Sequence, residues 1–411
     1  MPLAAPAVAP QRHVQRRREE KRCHRIVPDL GVIAPVPIGD HVTTVFLAGD
    51  VMTGRGIDQI MRCPSPPEIH ESYVRDARDY VRLAEEANGP VPRPVEPAYI
   101  WGDALDELAR VQPAARIVNL ETAVTRSDFW WKGKGINYRM HPANVTCLTA
   151  ARIDVCALAN NHVLDYDDPG LEETLETLGT AGLKTAGAGR TLPEAQRPAI
   201  VDLAGGYRVV VFSCGTETSG IPPAWAAAGR RAGVDFLHDV SDATASAVVD
   251  RVRRVKRPGD VVVVSIHWGG NWGYAVPEAH VRFAHRLVDG GVDIVHGHSS
   301  HHPRPIEVYR DRLVLYGCGN FIDDYEGISG YEEFRDDLAL MYFPAVDAST
   351  GRLTALRMTP MHIRRMRLNR ASPGDAEWLR RTLDRISRDF GSEVELGADG
   401  CLAVGSVSRR S

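Results

Sequence analysis

Five apolar runs along the chain each end in a cluster of polar residues. They cover residues 43–50, 115–121, 153–162, 260–270 and 292–301. Short apolar runs of this kind are typical of buried β-strands. The segments between them carry helix patterns with start and stop signals at residues 170–182, 241–260 and 277–291. Strand and helix therefore alternate, which predicts an α/β fold with a largely parallel sheet covered by helices on both faces.

The two ends of the chain have patterns of their own. Residues 1–40 include the charge run QRHVQRRREEKRCHR and predict a disordered basic arm or, as the alternative, a docking arm for a partner. Residues 41–362 are predicted to form one domain, with an insertion at 64–98 and a late antiparallel strand pair after residue 336. Residues 363–411 predict a C-terminal helix and a tail.

Composition narrows the classes of function. Of the 411 residues, 44% are hydrophobic and 25% are charged, as in soluble globular proteins. The net charge of −4 gives no signal for a nucleic-acid partner. No apolar stretch has the length of a membrane span, and no apolar segment follows the basic arm to make a secretory signal. The seven cysteines include no C-x-x-C pair, which predicts reduced thiols and a cytoplasmic location. Composition makes no prediction of the oligomeric state.

The polar residues that end the five strands form one candidate site. Ligands of open α/β sheets bind beyond the carboxyl ends of the strands, so these side chains are expected at one edge. Carboxylate, amide and imidazole groups together suit divalent metals, and the set is large enough for two ions that would clamp the oxygens of a displacement. The predicted cofactor is therefore one or two divalent ions, chosen among Mn, Zn, Fe, Mg and Ca.

The ordered series of motifs resembles one known family. The series is GDVM, NLET, ANNH, HWGGNW and GHSSHHPRPIEVY, followed by LYGCGNF. It is similar to the CapA-type capsule-biosynthesis family of the calcineurin-like metallophosphatase superfamily, over roughly residues 43–342. The resemblance implies the calcineurin-like metallophosphatase fold, in which layered sheets are covered by helices and the site lies at the carboxyl ends of the strands.

The resemblance also implies a role for each motif. It places His162 at the position of the superfamily's catalytic histidine and makes His301 the second catalytic candidate. The metal ligands that it implies are Asp50 and His301 for a first ion, Asn161, His267 and His298 for a second, and Glu121 as a bridge between them.

Two departures from the superfamily's motifs concern the first metal. Met52 stands where the superfamily has a histidine, and a thioether is a poor ligand for a hard divalent cation. The last motif reads Gly-His-Ser-Ser-His in place of Gly-His-x-His, so His301 and His302 compete for one role. The expected outcome is one metal or a weakly held pair.

Two aromatic-rich stretches are candidate substrate contacts. Residues 128–142 predict a lid over the site, with a solvated hairpin as the alternative. Residues 267–274 place large amphipathic groups near the metal edge, which suits a peptide, with core aromatics as the alternative. The candidate substrate-binding residues are Trp131, Lys132, Lys134, Trp268, Asn271, Trp272 and His302.

Three functions fit these patterns. The favoured one is a soluble peptide-tailoring metalloenzyme, most concretely an epimerase that converts L to D at a Cα of a lasso-peptide precursor. The resemblance permits this chemistry, with His162 or His301 removing the α-proton. The first alternative is a metal-dependent phosphoesterase or a poly-γ-glutamate or capsule-related hydrolase. The second is a non-catalytic binding protein on the same scaffold. The predicted partner is a peptide substrate, without nucleic acid or membrane.

Overall fold

The computed structural model describes residues 41–405. The predicted N-terminal arm and residues 406–411 lie outside the described residues. Within residues 41–405 the α-helices are α1 (Arg55–Ile60), α2 (Arg78–Asn88), α3 (Ala104–Val111), α4 (Thr146–Ala150), α5 (Asp167–Thr180), α6 (Leu192–Ala195), α7 (Asp242–Val255), α8 (Glu278–Asp289) and α9 (Pro373–Ser387).

The strands of the same region are short to medium in length. In chain order they are β1 (Val42–Val51), β2 (Ala115–Leu120), β3 (Ala123–Val124), β4 (Arg139–Met140), β5 (Val155–Ala157), β6 (Lys184–Ala186), β7 (Ala188–Gly189), β8 (Ala199–Asp202), β9 (Arg208–Thr216), β10 (Gly233–Val234), β11 (Phe236–Leu237), β12 (Asp260–His267), β13 (Ile294–His298), β14 (Ile306–Tyr309), β15 (Arg312–Leu315), β16 (Asn320–Ile322), β17 (Leu338–Asp347), β18 (Arg352–Ile363), β19 (Leu368–Arg370), β20 (Glu393–Leu396) and β21 (Leu402–Gly405).

Two large sheets organise most of these strands. The first has ten strands in the order β20-β21-β18-β17-β1-β2-β5-β6, with β16 added beside β1 and β19 beside β18. The second has seven strands in the order β11-β9-β12-β13-β15-β14, with β8 added beside β9. The strands that end at the predicted site run parallel to one another: β1 with β2 and β16, and β12 with β13.

The two sheets pack face to face, and helices cover their outer faces. Successive side chains of a strand point to opposite sides of the sheet. In β1, Val45 and Leu47 therefore enter a core shared with the second sheet, whereas Phe46 and Ala48 enter a core shared with α1 to α5. In β9, Val210 and Phe212 face α7 and α8. The layers are thus helix, sheet, sheet, helix.

The predicted α/β class is confirmed, and the observed layers agree with the layered sheets covered by helices that the resemblance implies; only the single parallel sheet inferred from strand–helix alternation differs. The prediction of a single sheet with helices on both faces is wrong, because one face of each large sheet packs against the other sheet. The central strand β9 is absent from the predicted strands, although its run RVVVFSCGT is fully buried. The run at 153–162 forms a strand only over Val155–Ala157. The specific metallophosphatase fold stays a prediction.

The C-terminal segment belongs to the first sheet. The predicted antiparallel pair is β17 with β18, and the predicted final helix is α9. The strands β20 and β21 then extend the sheet beside β18, so the segment predicted as a tail is partly strand. None of the helices between residues 41 and 405 has the length and apolar character that a membrane crossing requires.

Replacing Ile117 by alanine is expected to lower the free energy of unfolding by about 2–5 kcal/mol. Ile117 is fully buried in the core between the two sheets, so the shorter side chain leaves a cavity there. Ile328 is 40% exposed, and Ile328→Ala is the matched control, with an expected loss of about 0.5 kcal/mol. Denaturant unfolding measures both losses, and similar values for the two variants would contradict this assignment of the core.

Candidate metal centre

The ends of parallel strands from both sheets supply the candidate site. The pairing of β1 with its two parallel neighbours places Asp50 beside Asn119 and Asn320. In the second sheet, the pairing of β12 with β13 places His267 opposite His298. Polar side chains from distant parts of the sequence thus come together at the carboxyl edges of the strands, as the pattern of apolar runs predicts.

Asp50 and Glu121 form a buried pair of carboxyl groups. Asn119 Nδ2 donates hydrogen bonds to Asp50 Oδ1 at 2.8 Å and to Glu121 Oε2 at 3.0 Å. Burial raises the pKa of Asp50 to about 7, and burial together with the charge of Asp50 raises the pKa of Glu121 well above its usual range. Within residues 41–405, Asp50 Oδ2 has no hydrogen-bond partner. The pair therefore keeps a proton near neutral pH unless a cation neutralises it.

Two buried imidazoles face this pair. His267 Nδ1 lies 2.8 Å from His298 Nδ1, and the second nitrogen of each ring has a polar partner. Asn161 Oδ1 lies 3.1 Å from His267 Nε2, and Ser265 Oγ lies 2.8 Å from His298 Nε2. Burial lowers the pKa of both histidines well below the ordinary value. Both rings are therefore neutral at pH 7, which is the form that binds metal ions.

Asp50, His267 and His298 fit a divalent metal ion. Each offers one ligand atom, and these atoms all lie within 4.8 Å of one another. The unpaired Asp50 Oδ2 needs a cationic partner, and one carboxylate with two imidazoles suits Zn, Mn or Fe. No other group of three histidine, cysteine, aspartate or glutamate side chains meets this spacing between residues 41 and 405. These three residues, here named the metal triad, are the candidate ligands.

The triad combines residues that the resemblance assigns to two different metals. Asp50 was expected with His301, but His301 Nδ1 lies 2.8 Å from Asn320 Oδ1, and His301 is not part of the triad. Glu121 was expected to bridge two ions, and its Oε1 lies 3.8 Å from His267 Nε2. Met52 is buried and its Sδ accepts a hydrogen bond from the Tyr325 hydroxyl at 3.7 Å. A second ion, and ligation by His301, stay predictions.

His162 pairs with an aspartate that is absent from the predicted site. His162 Nδ1 lies 2.5 Å from Asp165 Oδ2, and His162 Nε2 lies 3.8 Å from Glu121 Oε1. Burial lowers the pKa of His162 to about 4, so the ring is neutral at pH 7. We assign the proton of the neutral ring to Nδ1, because Asp165 is its acceptor there, and this leaves the Nε2 lone pair towards Glu121. The His-x-x-Asp spacing after a strand is the sequence signal that identifies this partner.

Lys134 reaches the same cluster from the stretch predicted as a lid. Its Nζ donates to Asp165 Oδ1 at 2.5 Å and to the carbonyl oxygen of Asn161. Burial lowers its pKa, and the charge of Asp165 opposes that shift. Trp131 is half-buried against Trp225, whereas Lys132 is exposed. In this structure Lys134 therefore orders residues of the site itself, and its predicted contact with substrate stays a prediction.

The stretch at 267–274 divides between core and surface. Trp268 is 1% exposed and stacks on His280 in the core beneath α8, which is the position of a core residue and not of a substrate contact. Asn271 is exposed. Trp272 is half-buried and stacks on Tyr331 with ring centroids 3.9 Å apart.

His302 lies behind this aromatic surface. Its ring is fully buried and stacks on Phe334 at 4.7 Å. Burial lowers its pKa to about 4. Its Nδ1 lies 3.1 Å from the carbonyl oxygen of Pro303. His301 and His302 were the two candidates for one metal-ligand role, and neither belongs to the metal triad.

A buried cation ties the predicted insertion to the site. Arg55 follows β1, and it donates to Asp324 at 2.5 Å and 3.1 Å and to Glu71 at 2.9 Å. Its guanidinium also lies 4.3 Å from the ring centroid of Tyr138. Arg55 is absent from the predicted site, because nothing in the sequence shows that an insertion residue and a residue after β16 would share its charge.

Comparison with known proteins identifies the family. The family model described as "Bacterial capsule synthesis protein PGA_cap" matches residues 44–325, which include the whole metal triad. The "Probable polyglutamine synthesis accessory protein MT0602" of Mycobacterium tuberculosis is 50% identical over 364 residues, covering 88% of this chain and 96% of that protein. The "PGA biosynthesis protein CapA" of Bacillus subtilis is 28% identical over 325 residues, covering 79% of this chain and 72% of that protein.

A more distant relative has a related description. The "Capsule biosynthesis protein CapA" of Bacillus anthracis is 24% identical over 316 residues, covering 75% of this chain and 66% of that protein.

Substituting either imidazole of the metal triad is expected to reduce the bound metal. His267→Ala and His298→Ala each leave two of the three ligands, so we expect metal affinity to fall by about 100-fold or more. Elemental analysis of the purified variants measures the stoichiometry. His285→Ala is the matched control, because His285 lies on α8 and pairs with Glu307. Full metal content in both triad variants would rule out the assignment.

Metal binding is expected to weaken as the pH falls below about 7. The metal-free site holds a proton at Asp50, whose pKa is about 7, and a bound cation displaces it. Below that pKa, apparent affinity should fall about tenfold per pH unit for each displaced proton. Calorimetry in two buffers of different ionisation enthalpy counts the protons released. An affinity that stays constant from pH 5 to pH 7 would contradict a protonated carboxyl pair.

Proposed function

This chain belongs to the family of the bacterial capsule synthesis protein PGA_cap, and we propose that it is a metal-dependent hydrolase that cleaves an amide bond in a glutamyl or glutaminyl polymer. The observation that carries the proposal is the position of the His162–Asp165 pair beside the metal triad. The substrate class is supported by the relatives described as "polyglutamine synthesis accessory" and "PGA biosynthesis" proteins.

A divalent ion bound to the triad would supply a Lewis acid for the scissile carbonyl and would lower the pKa of a water molecule. The protein supplies the proton transfers. His162, neutral and oriented by Asp165, accepts the water proton at Nε2 as the new carbon–oxygen bond forms. It returns that proton to the nitrogen as the carbon–nitrogen bond breaks. Lys134 holds Asp165 from its other carboxylate oxygen and so limits the rotation of the pair.

The capsule-related alternative agrees better with the comparisons than the reaction that the sequence favours. Epimerisation at a Cα of a lasso-peptide precursor has no support from the family match or from the relatives. Hydrolysis and epimerisation both need a base at the metal centre, so His162 has the same chemical role in either reaction. The two reactions differ in whether the chain is cleaved.

The metal-loaded protein is expected to shorten a glutamyl polymer. Size-exclusion chromatography follows the chain length, and an amine-reactive dye counts the new amino groups. His162→Ala should lower the rate by about 100-fold or more while the bound metal stays unchanged, because general base catalysis is lost and the triad is intact. His285→Ala, at a histidine away from the centre, should keep the full rate.

Two other results would replace the proposed function. Hydrolysis of a chromogenic phosphodiester with added Mn, without cleavage of the polymer, would identify a phosphoesterase. Solvent deuterium at a peptide Cα without new amino groups would identify an epimerase. A wild-type rate in His162→Ala would remove this histidine from the mechanism.

A further inference from the structure

A chain of hydrogen bonds runs from β1 through the second sheet to the metal triad. His296 Nε2 lies 2.8 Å from the carbonyl oxygen of Ala48, and His296 Nδ1 lies 3.1 Å from Ser265 Oγ. Ser265 Oγ in turn lies 2.8 Å from Nε2 of the triad residue His298. The side chains of Ser265, His296 and His298 are fully buried. These three side chains and the Ala48 carbonyl are here named the imidazole chain.

The imidazole chain begins at an irregular point of β1. Between the pairs Leu47–Ile117 and Asp50–Asn119, β1 has one residue more than β2, which is the pattern of a β-bulge. A bulge interrupts the regular pairing of the backbone, and the carbonyl group of Ala48 within it accepts a hydrogen bond from the other sheet. The chain therefore connects β1, which carries Asp50, with the strands of the second sheet that carry the triad imidazoles.

The Ala48 carbonyl group determines which nitrogen of His296 carries a hydrogen. A carbonyl oxygen only accepts hydrogen bonds, so His296 Nε2 is an N–H donor. The hydrogen-bond partners of this ring within residues 41–405 are a carbonyl and a hydroxyl group, and both are uncharged. A charged ring would be costly at this buried position without an anion, so the ring is neutral. A neutral imidazole has one N–H group, and His296 Nδ1 is therefore an acceptor.

The direction of the remaining hydrogen bonds follows from that acceptor. A hydroxyl group has one hydrogen, and Ser265 donates it to His296 Nδ1. Ser265 Oγ can then only accept in its contact with His298, so we assign the N–H group of His298 to Nε2. In the neutral form, which is the form that binds a metal ion, His298 then has its lone pair on Nδ1. This nitrogen lies 4.0 Å from Asp50 Oδ1, on the side of the metal triad.

We propose that Ser265 and His296 are positioning residues that hold His298 in the tautomer with a free lone pair on Nδ1, directed to the metal triad. The opposite tautomer would place a hydrogen on Nδ1, and that atom could then not bind an ion. The second nitrogen of a metal-bound histidine usually donates to an acceptor that orients the ring, and loss of this acceptor weakens metal binding about 10- to 100-fold. Ser265 is the acceptor here, and His296 makes it an acceptor by taking its hydrogen.

The other imidazole of the triad has a partner that suits both of its tautomers. His267 Nε2 lies 3.1 Å from Oδ1 of the Asn161 amide, and a half-turn of that amide would present its nitrogen instead. Either tautomer of His267 therefore finds a hydrogen bond. The two histidines thus differ, because the imidazole chain fixes the hydrogen of His298, whereas His267 can carry its hydrogen on either nitrogen when an ion binds.

The proposal rests on the metal triad and is independent of the reaction that a bound ion would catalyse. Tautomers and metal affinity are measured without substrate, so a failure of the hydrolase assay leaves this test intact. If His298→Ala keeps its full metal content, the triad is wrong and the proposal is overturned with it.

The test compares two buried serines at the same level of the second sheet. Ser213 lies opposite Ser265 on the neighbouring strand β9, and its Oγ accepts a hydrogen bond from the backbone N–H of Ala159. Ser265→Ala should weaken the binding of Zn²⁺ by about tenfold or more, measured on the full chain by competition with a zinc-chelating dye. Ser213→Ala is the matched control and should bind Zn²⁺ as the wild type does, because its hydrogen bond goes to a backbone amide.

The tautomer itself is measured on the metal-free full chain with ¹⁵N-labelled histidine. Long-range proton–nitrogen NMR distinguishes a ring nitrogen that carries a hydrogen from one that does not, and the spectrum of His298→Ala identifies the signals of His298. We expect the hydrogen on Nε2 in the wild type and in Ser213→Ala, and a mixture of both tautomers in Ser265→Ala. A loss of packing alone would change the stability but not the nitrogen that carries the hydrogen.

The variant His296→Leu tests the next link of the imidazole chain. It removes the acceptor of the Ser265 hydroxyl group and should weaken Zn²⁺ binding as Ser265→Ala does. Because both residues act through one chain, the double variant should lose about as much affinity as the weaker-binding single variant. If His296→Leu does not fold, Ser265→Ala decides the outcome. The proposal is overturned if Ser265→Ala binds Zn²⁺ as Ser213→Ala does, if His298 of the wild type carries its hydrogen on Nδ1, or if the two single losses add in the double variant.

Discussion

The site is built around two carboxyl groups, Asp50 and Glu121, that are buried together and bridged by the amide of Asn119. Two neighbouring carboxyl groups in a dry interior cannot both be ionised unless a cation lies between them; otherwise one of them keeps its proton. The surrounding residues do not provide that cation: His267 and His298 are neutral because burial lowers the pKa of each. Lys134, also close, is engaged by Asp165 and by the Asn161 carbonyl. The metal triad is therefore the candidate position for an external divalent ion.

This carboxyl pair depends on the packing of two sheets. Asp50 lies at the end of β1 and Glu121 directly follows β2, its parallel neighbour in the first sheet, whereas His267 and His298 end neighbouring parallel strands of the second. Within one sheet, strand register fixes which side chains are adjacent. Between the sheets, the alternating apolar residues of β1, β2, β9 and β12 set the distance. A change in that core would therefore alter the separation of the carboxylates from the imidazoles, although it touches none of them.

The sequence predicts the strands that end at the site, because each apolar run stops at residues that can bind a metal. It does not predict how the imidazoles divide. His301 contacts Asn320, and Asp50 lies with His267 and His298 of the second sheet. Both arrangements depend on contacts between the sheets, which no local sequence pattern shows. Trp268 is a residue type that is common in ligand pockets, but at the end of β12 its side chain packs beneath α8. Asp165 has a local signal, since it follows His162 at a spacing of three residues.

Charge balance favours a single ion in this centre. One divalent cation neutralises the charges of Asp50 and Glu121, and the buried site then has no net charge. A second divalent ion would need two further negative charges close by. Asp165 contacts His162, but it already balances Lys134 and orients His162. Met52 adds no charge and His301 is neutral, because burial lowers its pKa to about 4. The departures at Met52 and in the doubled serine agree with this charge balance, because Met52 brings no charge to the centre and His301 lies against Asn320.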